Sequence, residues 1–77
     1  MLTADQIADL RRVYSLSQQA FAEQIGISRV YVTFIESRER PVTSTVSAKV
    51  VEKFALDVQK LAEISEIANK YRMEAVD

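Results

Sequence analysis

The stretch LSQQAFAEQIGISRVYVTFIES, Leu16 to Ser37, decides how this chain folds. It reads as two short helices joined by a tight turn. Ser17 and Ser28 stand where each helix would begin, each with a hydroxyl able to accept from an exposed backbone N–H. Phe21, Ala22 and Ile25 mark the inward face of the first helix; Val32 and Ile35 mark that of the second. Ala22 is small enough to let the two helices approach closely. Between them lies Gly26, the single glycine of the sequence, suited to the left-handed conformation that ends a helix and turns the chain.

Outward from this stretch the pattern stays helical. Thr3-Ala4-Asp5-Gln6 is a capping box, with Leu2 available as a staple. A helix from there to about Tyr14 presents Ile7, Leu10 and Tyr14 inward. On the other side, residues 38–44 form a loop punctuated by Pro41. A helix starting at Thr43 or Ser44 carries Val46, Val50, Val51 and Phe54 into the core. Asp57 can cap a last helix running to about Met73, ahead of an acidic end at Glu74–Asp77. No glycine marks the break at Ala55-Leu56-Asp57, so one continuous helix from Ser44 onward is the alternative.

The 77 residues are enough for one domain, near the size where a single core is only marginally stable. Dimerisation is a common remedy at this length. With 48% hydrophobic and 27% charged residues, one Gly and one Pro, the composition suits an all-α globular domain. No apolar run approaches a membrane span and no signal-peptide pattern is present. Cysteine is absent, which fits a reducing cytoplasm. Histidine is absent too, which removes zinc sites and the usual Ser-His and Cys-His nucleophile pairs. The eleven carboxylates fall on solvated helix faces or beside basic partners. The reading is therefore a non-enzymatic protein without metal or cofactor.

The net charge of −1 divides unevenly. Residues 1–54 hold seven basic and six acidic side chains, residues 55–77 three and five. Any surface for a polyanion must therefore come from local placement of charge.

The central stretch resembles the helix-turn-helix of the lambda-repressor-like family, the Cro/phage-repressor or XRE type. Counted from Gln18, that family places alanine fifth, glycine ninth, and aliphatic residues eighth, tenth, fifteenth and eighteenth. This chain has Ala22, Gly26, Ile25, Ile27, Val32 and Ile35 there. Leu10-Arg11, Leu16-Ser17-Gln18, Ile35-Glu36 and Arg40-Pro41 match the flanks, so the resemblance runs from about Ile7 to Leu61. It implies a five-helix lambda-repressor-like DNA-binding domain. Residues 1–54 would be its DNA-binding core, and residues 55–77 a C-terminal helix for dimerisation within one compact domain.

The resemblance also assigns roles. The second helix of the motif enters the major groove with its N-terminal residues toward base edges, which makes Arg29, Val30, Thr33 and Phe34 the base-contacting set. Arg29 suits a bidentate contact to guanine O6 and N7, and Phe34 a thymine methyl or another protein segment. Backbone contacts fall to Arg11, Gln18, Ser28, Tyr31, Arg38 and Arg40. Helix N-termini favour phosphate at Gln18 and Ser28, though Ser28 also reads as a plain cap. Tyr31 serves either a phosphate or the core edge, and Arg38 and Arg40 also read as ordinary surface arginines. Arg11 reads either as a solvated arginine or, as in the family, as the ion-pair partner of Glu36.

In the C-terminal helix, at about 100° per residue, Val58, Leu61, Ile64, Ser65, Ile67, Ala68, Tyr71 and Ala75 share an apolar arc of about half the circumference, wider than one core contact needs. Val58 and Leu61 would close the core against Phe54. Ile64, Ile67, Ala68 and Tyr71 would form the dimer interface, with folding back over the same domain as the alternative. The function so read is a transcription regulator, a repressor or a controller of restriction–modification type, acting as a homodimer on a palindromic operator in the cytoplasm of a prokaryotic or phage-infected cell. The alternative is an antitoxin-type module that binds another protein through the C-terminal helix.

Overall fold

A computed structural model describes residues 1–74, and side chains for residues 1–71. Its described residues form five helices and no strand: α1 (Ala4–Val13), α2 (Gln18–Ile25), α3 (Arg29–Glu36), α4 (Ser44–Lys53) and α5 (Val58–Glu74). Ala75 and the rest of the expected acidic end lie outside the described residues.

Each helix starts on a side chain placed to catch a free N–H. Thr3 and Gln6 exchange the two bonds of a capping box, at 2.9 and 3.1 Å. The hydroxyls of Ser17, Ser28 and Thr43 accept from Ala20, Tyr31 and Val46. The carboxylate of Asp57 accepts from the Lys60 N–H at 2.7 Å, so α4 and α5 are separate helices. The continuous alternative does not occur.

The helix ends obey one rule. Among the described residues four take positive φ: Ser15 (56°), Gly26 (74°), Arg38 (67°) and Ala55 (50°). After each, the next N–H returns five positions to a carbonyl of the last turn: Leu16 to Arg11, Ile27 to Ala22, Glu39 to Phe34 and Leu56 to Val51, at 2.8–3.0 Å. This is the Schellman closure, which satisfies carbonyls the helix would otherwise leave open. At Leu16, Ile27 and Leu56 the residue making that bond is also apolar and packs on the core, so burial holds the turn closed. That anchoring lets serine and alanine stand where glycine is usual.

The core joins Ile7 and Leu10 of α1, Phe21, Ala22 and Ile25 of α2, Val32 and Ile35 of α3, Val46 and Val50 of α4, and Ile64 of α5. Phe54 roofs it, its ring stacked on Phe21 at 5.9 Å and tilted on Tyr14 at 5.2 Å. The Leu2 N–H donates to the buried Ser47 hydroxyl at 2.9 Å and pins the N-terminal segment to α4.

Three expectations about facing need correction. Tyr14 is mostly at the surface, its ring resting on Phe54 and not inside the core. Val51 is exposed, because Val46 and Val50 already form the inward i, i+4 row and Val51 lies about 100° round the helix from it. The third concerns α5, which packs most extensively on α1. Ile64 and Ala68, expected on a free flank, are each only 5% exposed within the single chain, while Val58, expected to close the core, is 86% exposed. The middle of the apolar arc faces the core, and its edges, Val58 on one side and Ile67 and Tyr71 on the other, stay at the surface.

The left-handed positions make opposite predictions. At Gly26 an added Cβ would meet nothing within 4 Å, so Gly26→Ala carries only the backbone cost, about 1–2 kcal/mol. Ala55→Gly relieves a similar strain, less the extra chain entropy glycine loses on folding, for a net gain of up to about 1 kcal/mol. Thermal unfolding should show midpoints moving by several degrees in opposite directions.

Candidate nucleic-acid interface

Two short helices present a surface precisely only if their mutual angle is fixed, and a polar network fixes it here. Arg11 of α1 grips Glu36 at the end of α3 with both tines of its fork, Nε to Oε2 at 2.7 Å and Nη2 to Oε1 at 2.9 Å. Its Nη1 donates to the Leu16 carbonyl at 3.0 Å, in the turn before α2. One guanidinium therefore holds α1, the α1–α2 turn and α3 together. Both side chains are largely buried, 16% and 11% exposed. The hydrogen bond to Glu36 raises the Arg11 pKa from its ordinary value; burial opposes the rise, and the charge of Glu36 adds to it. The sign is that of a cation gaining a partner on folding. The stability it contributes is fully present below the ordinary arginine value and is lost only as pH rises above it, so this group gives no pH dependence near neutrality.

The network continues into the motif. The Gln18 amide, at the first residue of α2, donates to Glu36 Oε1 at 3.4 Å and accepts from the Thr33 hydroxyl at 2.9 Å. That hydroxyl also lies 3.1 Å from the Arg29 carbonyl, and its one proton serves one acceptor at a time. Gln18, Thr33 and Glu36 thus brace α2 against α3.

The sequence-selected residues then fall into two groups. Arg29 and Val30 are exposed at the start of α3, and Thr33 and Phe34 are half-buried one turn on. Ser28 accepts from the Tyr31 N–H, which leaves its own O–H proton to donate outward. Tyr31 packs partly on the core edge. Arg40 is exposed. Arg38 is exposed too, but makes a 2.7 Å ion pair with Asp5 across the surface, a kind of pair that contributes little and opens easily. Arg11 differs from the rest of the expected backbone set. Three of its donors are committed within the protein, which makes it a brace.

Two features escaped sequence reasoning. Gln18, Thr33 and Glu36 are too far apart in the chain for any local pattern to link them. An open groove of about 480 Å³ runs beside α3, between Val30, Tyr31 and Phe34 on one wall and Arg40, Pro41 and Thr43 on the other. Neither wall is apolar over a long enough run to announce it. Among the described residues, no buried side-chain nitrogen or oxygen lacks a partner and no acidic group could hold a metal ion. No helix there is long and apolar enough to cross a membrane.

A helix-turn-helix family model matches residues 7–61, the span that takes in most of α1, all of α2 to α4, both members of the Arg11–Glu36 pair and the start of α5. The propionyl-CoA carboxylase regulator of Cereibacter sphaeroides is 38% identical over 55 residues. The matched stretch is 71% of this chain and 12% of that regulator, so the likeness concerns one small part of the larger protein. No solved structure matches the chain.

The Arg11–Glu36 pair should behave as a unit. Arg11→Met alone or Glu36→Gln alone leaves a largely buried partner uncompensated, at a cost of about 2–4 kcal/mol. The double variant should cost less than the sum of the two. Urea unfolding of all four proteins measures the coupling, expected at about 1–3 kcal/mol.

Proposed function

The chain belongs to the Cro/C1-type helix-turn-helix family; from that premise we propose that it is a DNA-binding transcription regulator that binds a palindromic operator as a homodimer, with α3 as the element that reads sequence. The observation that carries this reading is the braced α2–α3 unit. Its outward face offers Arg29, Val30, Thr33 and Phe34 side by side, and the network through Gln18 and Glu36 keeps them from shifting.

The roles follow from chemistry. Arg29 gives a fork-shaped donor to a guanine edge. The Ser28 hydroxyl and the N-terminus of α2 offer N–H and O–H groups to phosphates, where the helix dipole favours negative charge. Arg40, and Arg38 once its surface pair with Asp5 opens, supply backbone affinity through counterion release. These contacts position the domain but carry no sequence information. The action is binding without catalysis, in the cytoplasm of a prokaryotic or phage-infected cell.

The dimer rests on what α5 leaves uncovered. Ile64 and Ala68 are used inside the domain, but Ile67 and Tyr71 remain 40% and 57% exposed on one edge of the helix. Burying that edge against a two-fold mate would set two copies of α3 on one face of DNA, with half-sites about 34 Å apart.

Selection of bound sequences from random DNA tests the reading directly, and a two-fold symmetric consensus is expected. On that consensus Arg29→Ala should cost about 1–3 kcal/mol and relax one base pair per half-site. Arg40→Ala should weaken all sequences alike and reduce the salt slope by about one. If no sequence is enriched, the reading fails.

For the dimer, sedimentation should show a two-chain species in the wild type and a folded single chain in Ile67→Asp/Tyr71→Asp. A wild type that sediments as a single chain would refute the dimer.

A further inference from the structure

Of the four side chains on the reading face of α3, only Arg29 brings hydrogen-bonding atoms that the protein does not already engage. The Thr33 hydroxyl sits between Gln18 and the Arg29 carbonyl. Val30 and Phe34 are hydrocarbons, and Val30 is 51% exposed. Both line the open groove beside α3, which Tyr31 and Pro41 continue and Arg40 borders. Ser28 and Thr43 add hydroxyls to its lining, so the apolar slot is the Val30–Phe34 pair continued by Pro41, with Arg40 at its border.

Charge selects the occupant. Arg40 borders the slot and matches a phosphodiester, and Arg29, exposed at the start of α3, precedes Val30 in the chain. In the major groove the one apolar group a base pair presents is the C5-methyl of thymine, and apolar side chains pair with it. The same methyl at the same ring position occurs in 5-methylcytosine. Val30 and Phe34 carry no donor or acceptor, so contact with them does not tell the O4 of one base from the N4 group of the other.

We infer that the Val30–Phe34 slot seats the C5-methyl of a pyrimidine, so that the protein prefers a methylated pyrimidine at one fixed position per half-site and reads cytosine methylation there. The inference rests on the DNA-binding reading and adds the chemical class of the second base recognised, beside the guanine of Arg29. Burying one methyl group is worth about 0.8 kcal/mol, or about fourfold in affinity.

The test changes one methyl on the DNA and leaves the protein untouched. A duplex enriched from random sequence is titrated by fluorescence anisotropy, with each thymine replaced in turn by deoxyuridine. At one thymine per half-site the wild type should bind about fourfold more weakly. Cytosine placed there should regain about fourfold when methylated at C5. Val30→Ala, a substitution on the surface, and Phe34→Ala, with its helicity checked by dichroism, should each lose most of this sensitivity. Phe34→Leu, which keeps a large hydrocarbon, should retain it.

A wild type indifferent to every deoxyuridine overturns the inference while the DNA-binding reading stands. So does sensitivity that persists in both alanine variants. If Phe34 were a seat for a protein partner, Phe34→Ala and Val30→Ala would bind the duplex as the wild type does, and that too overturns it. Failure to bind any enriched duplex overturns the DNA-binding reading and this inference with it.

Discussion

Every helix before the last must stop on time, and the structure depends on how it stops. Helices of eight to ten residues are too short to hold themselves in water, so each is stable only if the chain reverses soon after it and brings the helices together, α1 with α3 and α5 and α2 with α3 and α4. The left-handed residue with its five-back hydrogen bond performs that reversal four times. Where an apolar residue follows, as at Leu16, Ile27 and Leu56, the turn is locked by the same burial that builds the core. Local backbone strain and global packing are thereby coupled, and neither the turn nor the core is stable alone.

The fourth closure, at Arg38, has no such anchor, since Glu39 follows it and is exposed. There the chain continues through Arg40 and Pro41 alongside α3, and this detour forms the second wall of the groove. The least anchored turn is thus the one beside the outward face of α3, the proposed reading face. The arrangement agrees with functional segments being drawn from the less stable parts of a fold.

Rigidity at that face comes from polar groups. The core buries only Val32 and Ile35 of α3, with Tyr31 packed at its edge, which leaves rotation about the helix axis weakly constrained. Arg11, Glu36, Gln18 and Thr33 supply the missing constraint at its C-terminal end and along its side. Directional bonds do this better than apolar contacts, because their energy falls steeply with angle. The same side chains that brace the motif use their hydrogen bonds inside the protein, which leaves the outward face of α3 with one unengaged arginine and two hydrocarbons.

The sequence by itself determined the helix starts, the Gly26 turn and the inward faces of α2 and α3, because these depend on interactions within a few residues: a hydroxyl and an N–H three apart, a φ only glycine adopts freely, an apolar repeat. It also placed Arg11 and Glu36 as a pair, but only through family resemblance, since 25 positions separate them. Tertiary structure alone decided how α5 is turned. An apolar arc of half a circumference fits a core in several rotations, and contact with α1 selected the one that buries Ile64 and Ala68 and leaves Val58 outside. The Asp57 cap marked a break at Ala55-Leu56-Asp57 with a continuous helix as the alternative; because burial of Leu56 compensates the strain of a left-handed Ala55, tertiary structure decided between them. It alone brought Pro41 and Thr43 beside Phe34, since a groove wall made by a loop has no periodicity to read.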